Sequence, residues 1–181
     1  MIELETPIIS AIRNEKELER AVKSPTDAVF VLQSNIINCK KYIDLCHSAG
    51  KKVFFHYDFL EGYGKDRYGL KHFKTLGADG IISTKSNIIC WAREEGLVTV
   101  QRFFIVDSKS VYTALETIKE TKPDMVDLMP GIIPSAIKRF VSKTDTRVIA
   151  GGLITTKEEI IETLKAGAYA VSTSKEELWF L

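Results

Sequence analysis

The sequence lacks a long hydrophobic run, because no apolar stretch approaches the roughly 20 residues that a helix needs to cross a bilayer. Its start, MIELETPIIS, contains two acidic residues and no basic one, which does not match a secretory signal. Cysteine is scarce too: Cys39, Cys46 and Cys90 form no CxxC pair and match no zinc pattern. These absences predict a cytoplasmic protein with reduced thiols and no membrane partner.

Motifs for metal ions and nucleotides are also missing. The sequence contains no HxH or DxD run at a predicted strand end, no GxGxxG and no P-loop, so we expect neither a metal nor an organic cofactor. The formal net charge is +1. This balance argues against nucleic-acid binding by bulk charge, although it leaves room for a local basic patch.

Eight apolar runs, rich in Val, Ile and Phe, recur along the chain. Unbroken runs of this kind are typical of strands that are buried on both faces of a parallel sheet. The predicted strands are Ile8–Ile12, Ala28–Leu32, Val53–Tyr57, Gly80–Ser83, Val98–Val106, Met125–Met129, Val148–Ala150 and Tyr169–Ser172.

Helix signals lie between these runs. Ser34 or Asn35, Ser86 and Ser108 are placed to cap helices, and Pro134 suits a first helical turn. A short last helix is predicted over Lys175–Leu181. Eight β-α units in series predict a compact (β/α)₈ barrel of the TIM type with a parallel sheet, as one domain over residues 1–181. An open, doubly wound sheet is the structural alternative.

The last two predicted strands both end in small residues. The seventh ends at Gly151 and Gly152, followed by Leu153, and the eighth ends at Ser172, Thr173 and Ser174. Glycines let a ligand approach backbone N–H groups, and hydroxyl groups add donors. In TIM barrels the loops after strands seven and eight commonly hold phosphate. We therefore predict that these six residues bind a phosphate monoester, although a Gly-Gly pair is often only a tight turn.

Charged and polar residues follow the other strands, where they meet at one mouth of a barrel. We expect an effector-binding ring, suited to the hydroxyl groups of a small phosphorylated polyol. Its predicted members are Arg13, His56, Asp58, Lys85, Arg102, Asp107 and Asp127.

Each of these residues also has a purely structural interpretation. Asp58 and Asp107 can cap helices, and His56 can be a satisfied core histidine. An enzyme remains the functional alternative: Lys85 can form a Schiff base, and a mouth carboxylate can act as a base. Such an aldolase or isomerase would act on a phosphorylated polyol or triose.

The chain as a whole resembles the glycerol-3-phosphate-responsive antiterminator family. The resemblance is carried by PIISAIR (7–13), VFFHYDFLEGYGKD (53–66), DGIISTK (79–85), QRFFIVDS (101–108), DLMPG (127–131), AGGLI (150–154) and AVSTS (170–174). Two departures are visible. Tyr57, Phe59 and Tyr63 stand where the family tends to aliphatic residues, and Asp127 stands where glutamate is common.

The resemblance implies a regulator of glycerol-uptake genes without catalytic residues. Such a protein binds sn-glycerol 3-phosphate as its effector, then binds leader mRNA and stops a terminator hairpin from forming. The sequence indicates neither the RNA target nor the oligomeric state.

A candidate RNA surface is the basic segment that contains Lys65, Arg67, Lys71 and Lys74. Tyr63, Tyr68 and Phe73 interleave with it and can stack unpaired bases, whereas the structural alternative is a solvated helix face.

Overall fold

A computed structural model describes residues 3–181 and contains a closed barrel of eight strands. The strands are β1 (Ile8–Ile12), β2 (Ala28–Val31), β3 (Lys52–His56), β4 (Gly80–Ser83), β5 (Val98–Phe104), β6 (Met125–Met129), β7 (Arg147–Gly151) and β8 (Ala170–Thr173).

Helices connect consecutive strands. They are α1 (Glu15–Ala21), α2 (Cys39–Ser48), α3 (Arg67–Thr75), α4 (Ser86–Glu94), α5 (Ser108–Thr121), α6 (Pro134–Val141) and α7 (Lys157–Lys165). Two 3₁₀ turns cover Tyr57–Phe59 and Glu176–Phe180. No helix within the described part of the chain is long and apolar enough to cross a membrane.

All neighbouring strands pair in parallel, and β1 closes the barrel by pairing with β8, with Ile9 opposite Ser172. This confirms the predicted TIM-type barrel and excludes the open sheet. Because every strand runs the same way, all carboxyl ends meet at one mouth.

Side chains alternate along each strand between the barrel interior and the helical layer. Phe30, Phe54, Ile82 and Val100 belong to the interior cluster, where the first two rings pack edge to face at 5.5 Å. The opposite faces of the strands pack against the helices. The buried Trp179 of the last 3₁₀ turn donates its indole N–H to the carbonyl of Thr173.

The prediction that Ser34 or Asn35 caps the second helix was wrong. Residues Ser34–Asn35 instead form a short strand that pairs with Leu60–Glu61, and the helix begins at Cys39. The Asn35 side chain accepts N–H groups of the following turn and so delays the helix start.

Other predicted helix ends also differ. Lys85 occupies the cap position before Ser86, and Asp107, not Ser108, caps α5 in a capping box with Ser110. The fifth strand ends at Phe104 rather than Val106, and the last helix is a 3₁₀ turn. Asp107 is the N-cap residue because its carboxylate accepts the Ser110 N–H at 2.7 Å.

Candidate functional site

Two cavities open side by side at the carboxyl ends of the strands. The smaller mouth cavity, of about 320 Å³, lies over β7, β8 and β1 and is lined by Arg13, Arg102 and Lys175 but by no acidic residue. The larger mouth cavity, of about 610 Å³, lies over β1 to β3 and is lined by both acids and bases. Arg13 lines both cavities.

The turn after β7 contributes backbone N–H groups to the smaller mouth cavity. Gly152 and Leu153 line it with positive φ angles of 80° and 65°, which is a strained state for leucine. Within residues 3–181, neither N–H group has an acceptor. Two adjacent free donors beside three basic side chains suit an anion.

Gly151, the first residue of the predicted phosphate-binding set, does not line the smaller mouth cavity. A Cβ at this position would lie 2.3 Å from the Ser172 Oγ and 3.0 Å from Asp127 Oδ1. Glycine is therefore needed to make room for these two groups at the top of the barrel interior.

The turn after β8 places Ser172, Thr173 and Ser174 along the same cavity. The Thr173 hydroxyl donates to the carbonyl of Ile154 and accepts the Lys175 N–H, so it ties the two turns together. The Ser172 hydroxyl and the Ser174 N–H have no partner among the described residues. The seventh and eighth strands thus present donors to one shared hollow.

A buried ion pair lies beneath this hollow. Arg102 and Asp127 are opposite one another on β5 and β6, and Arg102 Nε donates to Asp127 Oδ2 at 2.7 Å. Complete burial raises the pKa of Asp127, and Arg102 offsets part of this effect. The second carboxylate oxygen, Oδ1, is buried and has no hydrogen-bond partner among residues 3–181. Most buried acceptors have a hydrogen-bond partner, so an unpartnered one is unusual.

His56 is the second incompletely bonded group. Its side chain is buried, its ring packs 4.6 Å from the ring of Phe59, and its Nδ1 has no hydrogen-bond partner in the described part of the chain. Burial, and then the charge of Arg102, lowers the pKa of His56 to about 4. The imidazole is therefore neutral at physiological pH.

Asp58, by contrast, is fully bonded. Its carboxylate accepts from the Ser83 hydroxyl at 2.6 Å and from the N–H and hydroxyl groups of Thr84. Burial opposes ionisation of Asp58, but these hydrogen bonds outweigh it and lower its pKa. Asp58 lines the larger cavity and links the ends of β3 and β4, whereas the structural role considered from the sequence was a helix cap.

Four predicted effector residues line neither mouth cavity: His56 and Asp127 are buried, and Lys85 and Asp107 are exposed. The Lys85 side chain is exposed at the helix cap position. Asp107 is an exposed helix cap and lines a separate pocket with Arg139. Lys175, which does line the smaller cavity, was missed, because it follows β8 in a segment that was assigned to a packing helix.

Three of the four candidate RNA-binding residues are engaged within the chain. Lys65 donates to the carbonyls of Tyr57 and Leu60, and Arg67 pairs with Glu94 at 2.7 Å. Lys74 donates to the carbonyl of Gly96. Lys71 is exposed and has no partner among residues 3–181.

No group of three or more His, Cys, Asp or Glu residues in the described chain is placed to hold a metal ion.

Comparison with known proteins gives consistent results. The chain is similar to a glycerol uptake operon antiterminator regulatory protein of Listeria monocytogenes (34% identity, 97% and 95% of the two chains, TM-score 0.91). It is also similar to a glycerol uptake operon antiterminator-related protein of Thermotoga maritima (35% identity, 96% and 98% coverage, TM-score 0.86). The uncharacterized protein YgcP of Escherichia coli is 33% identical over 98% of this chain and 93% of YgcP.

The family described as "Glycerol-3-phosphate responsive antiterminator" matches residues 8–179, which is nearly the whole chain. This agrees with the motifs at the strand ends and with the barrel geometry. The protein therefore belongs to the glycerol-3-phosphate-responsive antiterminator family.

Proposed function

We propose that this protein senses sn-glycerol 3-phosphate in the smaller mouth cavity and, once loaded, binds leader mRNA to prevent termination. In this proposal residues 1–181 act as one domain in the cytoplasm, where leader mRNA is made. Family membership supports both steps, and the geometry of the mouth supports the first.

The observation that carries the proposal is the pairing of a basic cavity with an orphaned carboxylate beneath it. Free N–H groups of Gly152, Leu153 and Ser174 and the cations Arg13 and Lys175 suit a phosphate group. Asp127 Oδ1 lacks a donor, and a hydroxyl group of a polyol is a donor. The phosphate group matches the cavity, and a hydroxyl group would have to pass below the cavity lining to reach Asp127, which is fully buried and lines neither mouth cavity.

The enzyme alternative receives less support. An aldolase needs a lysine that is desolvated beside its substrate. Lys85 is exposed and lies outside both cavities, while Lys51 and Lys65, whose pKa values burial lowers, donate to backbone carbonyls. The proposal therefore assigns no catalytic role to any residue.

Calorimetry tests the effector step. We expect heat of binding with sn-glycerol 3-phosphate, weak binding with inorganic phosphate, and none with glycerol. The ligand should be recovered unchanged after hours with the protein. Conversion to a new product would favour the enzyme, and absence of any binding would refute the proposal.

Replacement of Gly152 tests the position of the phosphate. In Gly152→Ala the new Cβ would lie 2.8 Å from Met129 Cε at a φ of 80°, so we expect at least a tenfold loss of affinity as the turn shifts. Gly50→Ala is a matched control, because Gly50 has a φ of 72° but no atom within 4 Å of the new Cβ. Both variants carry similar strain, and only the first should lose ligand. If Gly152→Ala and Gly50→Ala bind sn-glycerol 3-phosphate with equal affinity, the phosphate does not bind at the turn that contains Gly152.

The RNA step is tested by measuring RNA affinity with and without the ligand. We expect sn-glycerol 3-phosphate to raise RNA affinity, and by linkage RNA must raise ligand affinity by the same factor. If the protein binds the ligand but no RNA, the sensing part of the proposal stands and the antitermination part is refuted.

A further inference from the structure

The larger mouth cavity is not used by the effector site described above. It is about twice as large as the smaller cavity and lies over the ends of β1 to β3. One wall is the short parallel sheet formed by Ser34–Asn35 and Leu60–Glu61, an addition outside the barrel. The barrel does not need this sheet for closure, so the sheet serves to shape the mouth.

We infer that the larger mouth cavity binds an unpaired base of RNA, and that Arg13, which it shares with the smaller cavity, couples this base to the effector. The inference rests on the proposed function, because it assumes that RNA is the partner. It adds the surface that RNA contacts and the residue through which the effector acts.

Phe59 offers a stacking surface in this cavity. Its side chain is 63% exposed, and it sits on the 3₁₀ turn Tyr57–Phe59. The turn is braced from both sides, since Lys65 donates to the carbonyls of Tyr57 and Leu60, and His56 packs beneath the ring. A rigid, exposed ring is the platform on which single-stranded RNA bases stack.

The polar wall suits a base rather than a phosphate. Within residues 3–181, the carboxamide of Gln33 and the carboxylate of Glu61 have no side-chain hydrogen bonds. Amide groups pair with base edges, and a carboxylate accepts from the amino group of a base. The same carboxylate repels a phosphate group. The base is therefore expected to enter the cavity while the RNA backbone stays outside.

Arg13 provides a physical connection between the two cavities. Its side chain is exposed, and no partner for its guanidinium lies among the described residues. A phosphate in the smaller cavity attracts this guanidinium and holds it in one orientation. The ordered side chain then forms part of a defined wall of the larger cavity. Ordering of one shared group by the first ligand gives positive coupling to the second.

The basic face of α3 is the competing surface, and the contacts there favour it less. Arg67 and Lys74 are already bonded to Glu94 and to the carbonyl of Gly96, so RNA would have to displace these partners. The larger mouth cavity presents its unbonded groups without such a displacement.

The test uses RNA selected from a random-sequence pool by retention on protein loaded with sn-glycerol 3-phosphate. Phe59→Ala should weaken binding of this RNA by about 10- to 100-fold, the usual range for loss of one stacked base. Affinity for sn-glycerol 3-phosphate should not change. Phe104→Ala is the matched control, because Phe104 is 59% exposed at the mouth end of β5 but lines neither mouth cavity. It should change neither affinity.

A second variant tests the coupling. In Arg13→Gln, RNA affinity should be the same without the effector as at a saturating concentration of the effector. Equal RNA affinity of Phe59→Ala and the unmodified protein would overturn the inference while leaving the proposed function intact. The inference would also be overturned if Lys71→Ala lost RNA binding while Phe59→Ala kept it. If no RNA is retained from the pool although the effector binds, the antitermination step fails, and this inference fails with it.

Discussion

The two ends of the barrel interior differ in how they treat polar groups. Towards the amino-terminal end the interior is apolar, with Phe30, Phe54, Val100 and Met125 packed together. Towards the mouth it holds Arg102, Asp127 and His56. The two buried side-chain atoms that lack a hydrogen-bond partner within residues 3–181, His56 Nδ1 and Asp127 Oδ1, are both at the mouth end.

Carboxylates at the two ends show the same contrast. At the amino-terminal edge Asp27 accepts the Thr6 N–H, Asp79 accepts the Val53 N–H, and Asp124 accepts the Thr99 N–H. Each of these carboxylates bonds a backbone N–H group on or next to a neighbouring strand, so these acids stabilise the barrel. At the mouth, Asp58 likewise accepts a backbone N–H group near the neighbouring strand and both its oxygens are bonded. Asp127, by contrast, has one oxygen without a partner within residues 3–181. In the described part of the chain, the buried side-chain atoms without a hydrogen-bond partner thus lie at the mouth end of the barrel interior.

The largest expected effect comes from breaking the buried ion pair. Arg102→Met leaves Asp127 buried without its counter-ion, so we expect the free energy of unfolding to fall by about 3–5 kcal/mol. Urea denaturation measures this change. The double variant Arg102→Met/Asp127→Leu removes both charges and should regain the lost stability, because buried pairs are often neutral against apolar replacements.

The double variant also separates stability from function. It should fold normally and give no heat with sn-glycerol 3-phosphate, which would show that the pair is retained for the ligand and not for the barrel. A double variant that still binds the effector with unchanged affinity would contradict the assigned role of Arg102 and Asp127.

The sequence predicted the barrel well, because its signals are local. The apolar runs and Pro134 at a first helical turn each depend on a few neighbouring residues. The short sheet between Ser34–Asn35 and Leu60–Glu61 was missed, because its pairing joins distant segments. Local signals likewise did not pair Arg102 with Asp127, since that pairing depends on strand register.

His56 gives the next largest effect, through pH. Its pKa in the folded protein is lowered to about 4, mainly by burial, against about 6.5 in the unfolded chain. Between these values the unfolded chain binds a proton that the native state does not, so stability is lost as pH falls from about 6.5 towards about 4. The total loss is about 3 kcal/mol at about 1.4 kcal/mol per pH unit.

The variant His56→Phe isolates this contribution. It has no proton to bind and no orphaned nitrogen, so its stability at neutral pH should equal or exceed that of the unmodified protein. Its free energy of unfolding should also change less across the same pH window, as measured by urea denaturation at several pH values. Equally steep pH dependence in both proteins would show that another group titrates there.

The smallest effect is expected at Asp58, the one mouth carboxylate that behaves like those at the opposite end. Hydrogen bonds from Ser83 and Thr84 hold its pKa low, so its contribution is present above pH of about 4 and is lost as pH falls further. Asp58→Asn keeps an acceptor but loses the charge and should cost about 1 kcal/mol at neutral pH. Because Asp58 does not line the smaller mouth cavity, calorimetry should give unchanged affinity for sn-glycerol 3-phosphate. A large loss of effector affinity would instead place Asp58 in the binding site. Asp58 and Asp127 would then both contribute to effector binding, although only Asp58 is fully hydrogen-bonded within the protein.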